Sequence, residues 1–105
     1  MNIINCTPHA IQLNGGATFL PSGNVARVSS KHILKDAING IPCYRVEFGE
    51  VVGLPNEKED TLYIVSSIVA NATNRKDVIV PATGHPDAIR NEKGQIVSVP
   101  GFIVK

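Results

Sequence analysis

The sequence predicts a mainly β, α+β domain: a compact, mostly antiparallel barrel or sandwich of about eight or nine short strands with one helix near residues 66–74. Three observations lead there. Nine glycines and seven prolines cut the 105 residues into short apolar runs. Those runs are rich in Val and Ile and mostly alternate in the β manner. Only one stretch, Ser66 to Asn74, combines an N-cap residue with sustained helical spacing. A doubly wound sheet would need more helices than this chain supplies.

The elements follow in order. Asn2 to Asn5 reads as a strand closed by Thr7-Pro8, and His9 to Leu13 alternates up to Asn14-Gly15-Gly16. Those three residues tolerate positive φ and mark a hairpin, with Ala17 to Leu20 as the return strand. After Pro21-Ser22-Gly23, Val25 to Ser29 forms another strand. Residues 31–40 admit two readings. "KHILKDAIN" has apolar residues at 33, 34, 37 and 38, as in a short helical turn ended by Asn39-Gly40, and a bent strand is the alternative. Ile41 to Leu54 reads as one long strand interrupted at Gly49, where a bulge or sharp bend is expected. Thr61 to Val65 is a strand, followed by the helix and then by a strand at Asp77 to Val80. Ala88 to Arg90 and Gln95 to Val99 flank "NEKG" as a hairpin, and Phe102 to Val104 closes a single globular domain spanning 1–105.

Composition narrows the function. Ten basic and nine acidic residues are spread along the chain, giving a net charge of +1 and no basic stripe for long nucleic acid. A small anion needs only one or two arginines, so it remains open. No signal segment heads the chain, and no apolar run reaches the roughly 20 residues that span a bilayer. A cytosolic protein with no membrane partner is therefore expected. Cys6 and Cys43 lack CxxC spacing and should be free thiols, and no metal-ligand pattern or cofactor motif is present. Asn5-Cys6-Thr7 and Asn71-Ala72-Thr73 match the glycosylation pattern, which carries no weight without a secretory route.

The strongest site candidate is Ser66-Ser67 at the helix start, where unpaired N–H groups and the positive dipole end favour an anion. Ser67, Asn71 and Arg75 are spaced four apart, so a continuous helix would align them, with Arg75 gripping a phosphate. The plain alternative is that Ser66 only caps and Arg75 pairs with Asp77. Arg27 and His9 rank behind as ligand contacts. Glu50, beside the expected bulge, is either a site residue or the ion-pair partner of Arg27. His85 and Asp87 form the only pair resembling acid–base machinery, and no nucleophile can be assigned to it. No catalytic residue is assigned.

The runs N-x-TPH at Asn5 to His9, PSGNVARV at Pro21 to Val28, FGEVVGLP at Phe48 to Pro55, YIVSSIVANA at Tyr63 to Ala72 and RKDVIVPATG at Arg75 to Gly84 cover most of the chain. In this order they resemble a largely uncharacterised family of small proteins from phages, prophages and the bacteria that carry them. Small phage proteins without catalytic signatures often act by binding. One class sequesters nucleotide immune signals such as cyclic ADP-ribose derivatives or cyclic dinucleotides. By that analogy the resemblance implies an anti-defence sponge in the host cytosol that holds a small phosphorylated ligand, and because small strand-rich domains often build such pockets between protomers, a homo-oligomer is expected. The alternatives are a hydrolase of a nucleotide or ADP-ribose bond, using Glu50 or His85-Asp87, and a phage structural or protein-inhibitor module.

Overall fold

The computed structural model describes all residues, 1–105. Its centre is a four-stranded sheet in the order β1-β6-β7-β10, formed by Asn2–Asn5, Thr61–Ile64, Val78–Pro81 and Phe102–Val104. β1 and β7 both run parallel to β6, and β10 pairs antiparallel with β7. Parallel neighbours need a crossover, and the helix α1, Ser67–Ala72, supplies it between β6 and β7. Strands covered on both faces read as unbroken apolar runs. Tyr63, Ile64 and Val65 accordingly have no exposed surface, and Val69 and Ala70 of α1 are buried beside the sheet.

The mainly β reading holds, with 49% of residues in strand and 6% in helix. Four of the six strand pairings are antiparallel. The sheets do not close into a barrel. Beside the central sheet stand three separate two-stranded ribbons: β2-β3 (Ile11–Gln12, Thr18–Phe19), β4-β5 (Arg27–Ile38, Ile41–Val52) and β8-β9 (Ile89–Arg90, Ile96–Ser98). The hairpins expected at Asn14-Gly15-Gly16 and at "NEKG" are both present.

The expected compactness does not hold, and the β4-β5 ribbon is the reason. Each strand is twelve residues long, and the pair stretches the molecule to 50 × 38 × 23 Å. The radius of gyration is 16.4 Å, against about 13 Å for a compact chain of this length. Residues 31–40 take the bent-strand alternative. Asn39 and Gly40 have φ of 52° and 77°, the two positive values that a tight two-residue hairpin turn requires. The ribbon has two irregularities. One lies on β5 at Gly49-Glu50, where the interruption was expected, and the other on β4 at Lys35. A Cβ on Gly49 would stand 2.3 Å from Ser29 Oγ, so glycine leaves that hydroxyl its place beside the bulge.

The loop after β3 lies along the free edge of β1. Ser22 N donates to Asn5 O at 2.9 Å and Ala26 N to Cys6 O at 2.9 Å. Gly53, with φ of 82°, brings the end of β5 so close that a Cβ would stand 2.3 Å from Val25 O. Cys6 joins the core at 1% exposure, and both cysteines are free thiols.

Candidate functional site

Two polar clusters organise the ground around the cleft that holds Arg27 and Ser66. The first is built on Asn5, which is 2% exposed. Its Nδ2 donates to the carbonyls of His9 at 2.7 Å and Phe19 at 2.9 Å, while Oδ1 accepts from Thr7 N at 3.0 Å and Thr7 Oγ1 at 2.7 Å. Both amide protons are used, so the carboxamide is a saturated staple. This is what the N-x-TPH run does: it folds the loop after β1 onto β3. The first glycosylation match is therefore an internal structural asparagine.

The second cluster is the R-x-D run after the helix. Arg75 grips Asp77 through two parallel bonds, Nε to Oδ1 at 2.9 Å and Nη2 to Oδ2 at 2.6 Å. Its Nη1 donates to Pro55 O at 2.7 Å, and the guanidinium lies 5.7 Å from the Tyr63 ring centroid. The hydrogen bond from Arg75 holds the Asp77 carboxyl below its ordinary range, and the same bond raises the guanidinium. Every nitrogen of Arg75 is thus committed within the chain. The clamp ties the segment after β5 to the start of β7.

Arg75 does not continue a helical face from Ser67 and Asn71. The helix is six residues long, and Thr73 is extended at φ −125° and ψ 149°. Lys105 caps the end of the helix by donating to the carbonyls of Ala70 and Thr73. Ser66 is the N-cap, its Oγ accepting from Val69 N at 3.4 Å. Ser67 and Asn71 are exposed, and Asn71 lines a separate cleft of about 400 Å³ with Phe48, Gly49, Ile68 and Ala72. An anion cradle running from Ser66 to Arg75 along one helix side is not what forms.

What forms instead is a cleft of about 280 Å³ between the loop after β1, the start of β4 and the start of α1. Thr7, Pro8, Arg27, Val28, Ser66 and Ile68 line it, with Cys6 at its floor. Burial raises the Cys6 thiol pKa, which disfavours the nucleophilic thiolate. Arg27 is the only charged side chain in the lining, and it makes no salt bridge and no side-chain hydrogen bond. The expected Arg27–Glu50 ion pair is absent: Arg27 stands opposite Val52, and the ribbon's ion pair is Arg45–Glu47 at 2.8 Å.

Of the predicted site residues, then, the cleft brings together Arg27 and Ser66. Ser67, Asn71, Arg75, His9 and Glu50 lie outside its lining. The sequence reading missed Thr7 and Pro8, although the N-x-TPH run was visible, because an Asn–Thr staple announces itself only through its backbone partners. His85 and Asp87 form an exposed turn in which His85 Nδ1 accepts from Asp87 N at 3.0 Å. Neither residue lines the cleft, and no trio of metal-ligating side chains forms. No helix is long and apolar enough to cross a membrane. No protein-family model, curated protein or solved structure matches this chain.

Proposed function

We propose that this chain is a phage-associated binding protein that sequesters a small phosphorylated nucleotide in the cleft at the start of β4. One observation carries the reading: a mostly apolar cleft whose only charged lining residue is Arg27, which has no ion-pair partner. Apolar walls from Pro8, Val28 and Ile68 suit a base or ribose, and a free guanidinium suits one phosphate, which it grips through two parallel bonds. The Ser66 hydroxyl accepts from the helix, which leaves its own proton for a second phosphate oxygen. The family resemblance supports the biological setting, in which the ligand is a nucleotide immune signal such as a cyclic ADP-ribose derivative or a cyclic dinucleotide.

The test is to incubate the protein with a panel of such nucleotides, remove the unbound fraction, release by heat and identify what returns by mass spectrometry. The proposal expects an intact phosphorylated nucleotide in stoichiometric amount. Altered product would establish the hydrolase, and an empty protein across the panel would overturn nucleotide binding.

A further inference from the structure

The β4-β5 ribbon is amphipathic. Residues directly opposite across an antiparallel pair share a face, so the register places Ser30 with Phe48, His32 with Val46 and Leu34 with Tyr44 on one side. The His32 and Tyr44 rings meet edge to face there, 6.5 Å apart. The other side is mixed: it carries Lys31 opposite Glu47 and Arg45 opposite Ile33, with Arg45 ion-paired to Glu47, and Ile38 opposite Ile41 at the tip. At its base the apolar side is covered, since Val51 packs on the core. Further out nothing covers it, and Leu34, Tyr44 and Phe48 are 62%, 59% and 57% exposed.

We propose that a second copy of this chain covers that face, the two ribbons packing apolar side to apolar side in a homo-oligomer. Area is the first argument. The chain exposes 7366 Å², whereas a compact monomer of 11.2 kDa exposes about 5,700 Å². The excess of roughly 1,700 Å² is about twice the 800 Å² that each partner gives to a standard interface. Stability is the second argument. A bare two-stranded ribbon is marginal in water, so a cover must be present whenever the chain is folded, and its own copies always are. Charge is the third. The ribbon carries Arg27, Lys31, Lys35 and Arg45 against Asp36, Glu47 and Glu50. A near-balanced surface meets its own copy without repulsion, whereas a strongly charged partner calls for one dominant sign. The apolar stripe also runs along an antiparallel pair, so a two-fold axis lays it on itself with both halves matched.

This inference stands independently of the ligand. Light scattering of the full chain at micromolar concentration should give a mass at least twice 11.2 kDa. Leu34→Asp combined with Tyr44→Asp should reduce it to the monomer, while Lys31→Ser on the opposite face should leave it unchanged. A chain carrying His32→Cys in a Cys43→Ser background keeps the test valid should the aspartate variant not fold. A short bifunctional maleimide should then join two copies through the middle of the stripe. A monomeric wild-type chain, an oligomer indifferent to both aspartates, or no cross-link at His32→Cys would each overturn the proposal.

Discussion

Replacing Arg75 with alanine should destabilise the fold rather than disable a ligand site. The guanidinium is 22% exposed and its carboxylate partner 15%, so water takes little of the load that the side chain carries. Losing the paired bonds to Asp77 costs about 1.5–3 kcal/mol on the scale of hydrogen bonds to charged groups. The Pro55 carbonyl loses its donor, which adds about 1 kcal/mol, and the Tyr63 ring loses a cation worth about 0.5–1 kcal/mol. Asp77 then stays behind, mostly buried and unpaired. A total of about 3–5 kcal/mol corresponds to a drop in Tm of about 12 °C or more for a domain of this size. Arg75→Lys should recover only part of it, because an ammonium retains the charge and lacks the planar fork. Thermal unfolding followed by circular dichroism, at fixed protein concentration, reads the effect. A Tm within about 3 °C of wild type in Arg75→Ala would refute the clamp, since that shift corresponds to less than about 1 kcal/mol.

Three further outcomes follow from the same geometry. Asn5→Asp replaces the two amide protons with a lone-pair oxygen facing the His9 and Phe19 carbonyls, and should cost about 2–3 kcal/mol in urea unfolding; an unchanged midpoint contradicts the staple. Asp77 is held below its ordinary pKa, so its stabilisation is complete above the unfolded value of about 3.9 and is lost as pH falls through that value toward the depressed folded one. Wild type should therefore weaken toward pH 3 more steeply than Asp77→Asn, and parallel profiles would exclude the clamp as the cause. Gly53→Ala forces a Cβ into the space of the Val25 carbonyl at positive φ, and should cost about 2 kcal/mol or more by calorimetry.

The turns were legible because their chemistry is local. Asn14-Gly15-Gly16 and "NEKG" announce positive φ and reversal without help from the rest of the chain. Residues 31–40 were ambiguous for a physical reason. The irregularity at Lys35 adds one residue to β4, so the apolar positions 33, 34, 37 and 38 take on three-and-four spacing in a strand. The parallel centre was also hidden. The run from Tyr63 to Pro81 was legible as strand, helix and strand, but a helix this short is a weak sign of a crossover. The site reading failed where it extrapolated. Arg75 was placed on a helix face by counting from Ser67 and Asn71, yet the helix stops at Ala72. The plain alternative, an Arg75–Asp77 pair with Ser66 as a cap, is the geometry found. Arg27 was ranked low because a mid-strand arginine usually faces solvent or pairs across strands. Its position at the cleft depends on the β1 loop and α1, which are distant in sequence.

The most direct test of the binding reading is a calorimetric titration of wild type and Arg27→Ala with ADP-ribose and a cyclic dinucleotide, and with unphosphorylated adenosine as the control. Wild type should bind at least one of the phosphorylated probes and not adenosine. Arg27→Ala should bind that probe about 10- to 100-fold more weakly, the scale of a charge-assisted contact of about 1.5–3 kcal/mol, with its Tm unchanged. Equal affinity in wild type and Arg27→Ala, or equal affinity for adenosine, would contradict the account.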